Sequence, residues 1–209
     1  MKITRKVSEQ VDFEHMRARI NAGAVAEVVR PGDELEIPLE NGETVIAVCA
    51  GYISDYRARF VLKDALGDHR MNDRPTNYGG YLKSEGRRHV LEDILPLFPA
   101  WLREAMKPRH MVEIIDGETH EYADTLWLPS ATDVFGPRPW WNEEPDSEQL
   151  EIFKTERGRV KERDGETVRW WLRSPRAASA SYFVGVYTDG TVSYNNADYS
   201  LAFAPGFDL

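Results

Sequence analysis

The sequence predicts an α+β fold, and three observations carry that reading. Asn41-Gly42, Asp116-Gly117, Asp164-Gly165 and Asp189-Gly190 each sit between strand-forming runs, the pattern of tight antiparallel hairpins. The strand-like runs crowd toward the two ends of the chain with helical spacing between them, so strands and helices are segregated and do not alternate. Six Trp, nine Tyr and eight Phe in 209 residues supply large flat side chains for a core. The length fits a single domain over 1–209, with an N-terminal β subregion of about residues 1–65 and a core of about 66–209.

Residues 12–22 carry Phe13, Met16 and Ile20 at helical spacing, with Asp12 placed to cap the start and Gly23 suited to a left-handed stop. Leu35, Ile37 and Leu39 alternate with polar residues, Asn41-Gly42 makes a type I′ turn, and residues 45–50 return as a second strand. Residues 58–62 continue that sheet. Residues 67–80 gather Asn72, Asp73, Pro75, Asn77, Gly79 and Gly80 and read as loop. Ser84 caps a second helix whose buried stripe is Val90, Leu91, Ile94 and Leu95. Pro96 interrupts it, and Pro99 starts a third short helix bearing Leu102 and Met106. Asp116-Gly117 turns the chain before a strand at residues 125–128, and Ser130 with Asp133 caps a single helical turn ending near Gly136. Beyond it, Asp164-Gly165 joins strands at 159–163 and 167–172, and Asp189-Gly190 joins strands at 184–187 and 192–194.

Apolar residues at 42% and charged residues at 29% are those of an ordinary globular chain, which excludes disordered, collagen-like and coiled-coil classes. The 26 Lys and Arg against 35 Asp and Glu leave a net charge of −9. Arg87-Arg88 and residues 157–163 are the densest basic stretches, and both are interleaved with acids. Nucleic acid is therefore not an expected partner, because phosphate neutralisation supplies most non-specific affinity. Cys49 is the only cysteine, which excludes an internal disulfide and a Cys-rich zinc site; its apolar neighbours predict a buried small hydrophobe. Residues 1–10 contain no apolar leader core and no 18-residue apolar stretch occurs, so a cytoplasmic protein with no membrane partner is expected.

No catalytic constellation emerges. His15, His69, His89, His110 and His120 form no paired metal-ligating motif. Asp68-His69 with Asp73, and the acid- and amide-rich loops at 142–146 and 195–198, come nearest to a cation site but lack EF-hand spacing. No nucleophile elbow or phosphate-cradling glycine loop is present, and the carboxylates of Glu92-Asp93 and Glu143-Glu144 are adjacent and so diverge. The expectation is a non-enzymatic protein with no cofactor and no metal.

The carboxy-terminal third is the most informative. Trp170 and Trp171 point to opposite faces of a strand, one into the core and the other over a second layer or partly into solvent, with Arg173 on the face of Trp171. Residues 194–200 have the composition of recognition loops, where Tyr supplies rigid amphipathic area and Asn or Ser supplies adaptable hydrogen bonds. The candidate ligand-binding residues are Arg173, Arg176, Tyr182, Tyr187, Tyr194, Asn195, Asn196, Asp198 and Tyr199. The two arginines would clamp a carboxylate or an aromatic ring.

Three blocks also carry a family likeness. The first holds Met71-Asn72, Thr76-Asn77-Tyr78-Gly79-Gly80-Tyr81, Ser84 and Arg87; the second holds Leu126-Trp127-Leu128-Pro129-Ser130 with Val134-Phe135-Gly136. The third holds residues 170–175, 183–186, Asp189-Gly190 and Ala204-Pro205-Gly206-Phe207. With Gly32-Asp33 they span the chain from about residue 30 onward. In order and spacing the chain resembles a bacterial and phage domain family of unknown function, itself similar to the C-type-lectin-like group. That group includes formylglycine-generating enzymes and the variable receptor-binding proteins of diversity-generating retroelements. The resemblance implies a C-type-lectin-like fold over about residues 66–209: antiparallel hairpins, strands from both termini brought together, short flanking helices and long loops. It implies no single activity. The enzyme branch needs reactive cysteines, which a chain with only Cys49 lacks, and the sugar-binding lectins use calcium loops that Asn142-Glu143 matches only faintly. The expected role is a recognition module presenting its C-terminal loops to a protein or glycan ligand. A phage-encoded structural or assembly protein, a formylglycine-generating-like enzyme and a metal-dependent lectin are the alternatives.

Overall fold

A computed structural model describes residues 4–6 and 10–209, with side chains from Phe13 onward. The stretch read for a leader therefore falls largely outside the described residues, at 1–3 and 7–9. In chain order come β1 (Thr4–Lys6), α1 (Gln10–Asn21), α2 (Val25–Val28), β2 (Glu34–Pro38), β3 (Thr44–Ser54), β4 (Arg57–Leu62) and β5 (Leu66–His69). The middle holds α3 (Glu85–His89), α4 (Ala100–Arg103), β6 (Arg109–Ile115), β7 (Glu118–Asp124), β8 (Leu126–Trp127) and α5 (Ala131–Phe135). The last third holds α6 (Glu156–Arg159), β9 (Lys161–Arg163), β10 (Glu166–Val168), β11 (Trp170–Pro175), β12 (Tyr182–Val186), β13 (Val192–Asn196), β14 (Leu201–Phe203) and β15 (Gly206–Asp208). The α+β class read from the sequence is the one formed.

A six-stranded sheet runs β1-β2-β3-β4-β15-β8, and a five-stranded sheet runs β13-β12-β11-β14-β5. β6 with β7, and β9 with β10, form separate ribbons. The closing strand β15 is inserted between β4 and β8, with Phe207 opposite Phe60 on one side and Leu126 on the other. Arg59 grips Asp208 through two hydrogen bonds of 2.9 and 3.0 Å. Residues 201–209 are all buried; within 176–200, residues 183–186 of β12 are buried as well, and inward and outward side chains alternate along β13.

All four Asn-Gly and Asp-Gly dipeptides turn hairpins, by two different geometries. Asp116-Gly117 and Asp164-Gly165 have positive φ at both residues (52° and 83°, 55° and 80°), as a type I′ turn requires. At Asn41-Gly42 and Asp189-Gly190 only the glycine is left-handed. There the glycine N–H closes back on Leu39 and Tyr187, each at 3.0 Å, a type I turn followed by a glycine bulge. The type I′ expectation at Asn41-Gly42 is thus corrected: the longer connection needs one left-handed residue, not two.

Other differences have local causes. The helix of Phe13, Met16 and Ile20 begins at Gln10, so Asp12 lies inside it and not at its cap. Part of the expected 67–80 loop is β5, which gains strand geometry by pairing with β14. Ser84 caps α3 as expected, but the helix then widens into a π turn at Val90–Ile94 and tightens to a 3₁₀ turn at Leu95–Leu97, where Pro96 supplies no N–H. The charged and polar residues of β6 and β7 hide both strands from a reading by apolar alternation.

Two apolar layers flank β11. Trp171 joins Phe60, Phe98, Phe183 and Phe207 in one, and Trp170 joins Trp127, Phe153, Leu172 and Val184 in the other. Both indoles are fully buried, so the second tryptophan covers a second layer and does not face solvent. Lys161 is enclosed in that layer. Its Nζ donates to the Leu62 carbonyl and lies 5.5 Å from the ring centres of both Phe153 and Trp170.

Burial pulls the Lys161 amine down to about 7, against the pull of Asp64. In the unfolded chain a lysine titrates at about 10.4. Between those two values the unfolded state holds the extra proton, so folding gains as pH rises from 7 toward 10. Chemical denaturation of wild type and Lys161→Met across that range should show the wild type gaining on the variant by up to about 1.4 kcal/mol per pH unit. A constant difference between the two proteins would show that Lys161 stays charged when folded.

Candidate functional site

The site rests on a buried charge cluster. Arg109 on β6 and Arg173 on β11 are each 1% exposed and converge on Asp146. Arg173 Nη2 donates to both Asp146 carboxylate oxygens at 2.9 and 2.8 Å. Arg109 Nη2 donates to Asp146 at 3.1 Å, and its two terminal nitrogens grip Asp133 at 2.8 and 3.1 Å. Asp133 and Ser130 form the expected capping box of α5, each accepting the other's backbone N–H at 2.9 Å. Glu144 accepts from the Thr132 N–H at 2.9 Å and from the Ser174 hydroxyl. Burial alone would raise the Asp133 carboxyl, but Arg109 beside it, with Arg173 and Arg59 behind, holds it below the usual carboxylate value. Burial likewise opposes the charge of Arg173, and the field of Glu144, Tyr122, Asp146 and Asp133 overrides it. The cluster ties β6, β11, α5 and the loop at 142–149 into one frame.

That frame positions an open cleft. Asn77 donates its side-chain amide to the carbonyls of Ser179 at 2.7 Å and Tyr182 at 2.9 Å, and its N–H to Ala180 at 2.9 Å. Ala177 donates to the Trp140 carbonyl at 2.9 Å, and Trp141 bridges to Arg176. So pinned, the loop holds Ala178 at a φ of 56°, a left-handed conformation that costs an alanine energy. On the facing wall Gly80 has a φ of 62° and makes room for Glu113, whose Oε1 would lie 2.3 Å from any added Cβ. Burial raises the Glu113 carboxyl, while the N–H groups of Tyr81 and Leu82, at 2.7 and 3.0 Å, oppose the rise. The cleft between these walls measures about 680 Å³ and is bordered by residues 76–80, 114–116 and 175–180 with Asn142. Tyr78 stands beside it 75% exposed.

The structure brings together part of the expected binding set. The Arg176 guanidinium lies 4.5 Å from the Tyr194 ring centre and 5.8 Å from that of Tyr182. Among the described residues nothing accepts a hydrogen bond from this guanidinium and no carboxylate pairs with it. Asn196 lies opposite Tyr182 in the hairpin, on the face of Tyr194, and Asp198 and Tyr199 are exposed just beyond. Tyr187 is exposed at the far end of the same hairpin.

Two expected contacts are corrected. Arg173 is the cation of the internal cluster and does not reach the cleft. Asn195 is buried on the other face of β13, donating to the Ser193 hydroxyl at 2.8 Å, because consecutive strand residues alternate and Asn195 cannot share a surface with Asn196. The strand register is irregular between Trp171 and Pro175, so period-two counting does not carry through to Arg173.

Sequence reasoning missed Trp140, 48% exposed, and the exposed Arg138. With Phe135, Trp141 and Val192 they border a smaller cavity of about 220 Å³. The available signal was Pro137-Arg138-Pro139 ahead of two tryptophans, a stiff irregular segment that holds large rings at the surface. Cys49 is fully buried, and burial pushes its thiol up to about 12, so no thiolate is available near neutral pH. Among the described residues no group of three His, Cys, Asp or Glu is placed to hold a metal ion, and no helix is long and apolar enough to cross a membrane.

A family model described as Domain of unknown function (DUF6273) matches residues 57–209, from β4 to the last residue. The match begins later than the resemblance drawn from about residue 30, so Gly32-Asp33 lies outside it. No curated protein and no solved structure matches the chain.

The two arginines should separate in denaturation experiments. Arg173→Ala leaves Asp146 buried with a lost partner and should cost about 3–5 kcal/mol. Arg176→Ala removes a half-exposed stack and should cost less than about 1 kcal/mol. Equal losses in the urea midpoint would contradict this division.

Proposed function

The chain belongs to the DUF6273 family, and we propose that it acts as a non-enzymatic recognition module, receiving a protein or glycan ligand at the cleft and the Arg176–Tyr194 stack beside it. The observation that carries this reading is Arg176. In a chain that pairs its buried arginines closely, this one is ordered by two tyrosine rings and a pinned loop yet has no acceptor among the described residues. A donor fork held still before binding loses little entropy on binding, which is what preorganisation supplies. Exposed Trp140, Tyr78 and Tyr199 add the amphipathic rings on which recognition surfaces depend. The buried thiol of Cys49 and the ion-paired burial of Asp133 support binding over catalysis. Insertion of β15 beside β4 supports a C-type-lectin-like relation, and a lone buried cysteine suits the reducing cytoplasm.

Arrays of glycans and of peptides, probed with the purified chain, test this reading. Wild type should select a subset of spots. Arg176→Ala and Trp140→Ala should each weaken that binding at least tenfold while shifting the melting temperature by less than about 2 °C. Binding unchanged in both variants would overturn the assignment.

A further inference from the structure

The outer edge of β13 gives the proposed recognition a specific form. The Tyr187 N–H bonds to Thr191 at one end of the hairpin, and the Ala197 N–H bonds to Ser181 at the other. Counting inward from both, the pairs Phe183↔Asn195 and Gly185↔Ser193 exchange the ladder bonds. Val192, Tyr194 and Asn196 therefore turn their N–H and C=O groups away from β12. Among the described residues β13 is the last strand of its sheet, and no strand meets those groups. Only the Asn196 carbonyl is engaged among the described residues, by the Tyr199 N–H at 3.0 Å. Natural sheets protect such an edge with proline, charge or a bulge. Here the strand reads Val-Ser-Tyr-Asn-Asn, without proline or charge, and its register is unbroken.

The surroundings of this edge indicate what would cover it. Tyr194 carries the stacked Arg176 at one end, and Val192 borders the small cavity at the other, where Trp140 stands with Arg138, Arg159 and one carboxylate, Glu156. Neither Arg138 nor Arg176 has a carboxylate partner among the described residues, so the edge is flanked by two unpaired cations on a chain of net charge −9. A strand added to an edge gains affinity from main-chain hydrogen bonds and specificity from alternate side chains. We propose that the β13 edge receives an extended acidic segment of a partner polypeptide as an added strand, its carboxylates meeting Arg176 and Arg138. The proposal rests on the recognition reading and narrows its ligand to a polypeptide.

The test uses the full chain and synthetic ten-residue probes of alternating β-branched residues that carry Glu, Gln or Lys at every second position. A second set is methylated on alternate backbone nitrogens. The Glu probe should bind at least tenfold more tightly than the Gln and Lys probes, and methylation on the bonding side should abolish binding. Arg176→Ala should reduce the preference for Glu, and Arg176→Ala combined with Arg138→Ala should erase it. Asn196→Pro removes one outward N–H while sparing the ladder to β12, and should weaken every probe; should that variant fail to fold, the methylated probes and Arg176→Ala decide alone. Equal binding of methylated and plain probes overturns the proposal. So does a concentration-dependent dimer in light scattering that Asn196→Pro abolishes, which would make a second copy of this chain the occupant. Binding of arrayed glycans with no binding of any strand probe overturns strand addition and leaves recognition standing; binding of neither overturns both.

Discussion

Arg109, Arg173, Asp133 and Asp146 form a closed set of charges with almost no access to water, and the rest of the molecule is arranged around it. Each ion is expensive to bury and becomes tolerable only because the others are held at hydrogen-bond distance. That requirement is geometric. It fixes where β6 and β11 pass each other, where α5 starts, and how the loop at 142–149 returns past its N-terminus. Ser130, Ser147, Ser174 and Glu144 take up further donors and acceptors, while the Nε of Arg109 and of Arg173 stays buried without a partner among the described residues. The guanidinium groups of Arg59 and Arg109 lie 4.9 and 4.5 Å from the Trp127 ring centre, so the cluster is also joined to the aromatic core.

The two apolar layers give that cluster its dry surroundings. β11 can hold an indole on each face because both faces are covered. The chain end completes the enclosure: β15 fills the gap between β4 and β8, and Asp208 pairs with Arg59 as the strand closes. Pairing β15 with β4 brings the first strand of the matched region, residues 57–209, against its last one.

Arg173 and Arg176 illustrate how one residue type takes opposite roles three positions apart. The first is surrounded by anions and serves the frame. The second emerges after Pro175 into a loop held by Asn77, where tyrosine faces order it without neutralising it. A guanidinium stacked on rings keeps its in-plane donors free, whereas one gripped by carboxylates has spent them. The frame thus orders the loop, and the loop presents the charge.

Much was legible in the sequence because the information was local. The four glycine turns, the caps at Ser84 and Ser130, the alternation of Leu35 and Ile37, and the opposite burial of Trp170 and Trp171 follow from neighbours a few residues apart. The gathering of Arg176, Tyr182 and Tyr194 was reachable from composition, though the reason for it was not. Only the tertiary structure decided that Arg173 meets Asp146, 27 residues away, that Asn195 turns inward while Asn196 turns outward, that polar β6 and β7 are strands, and that Trp140 stays in solvent. Periodicity states that a strand has two faces, but which face is covered depends on register with distant segments, and burying a charge depends on a partner that no local pattern names.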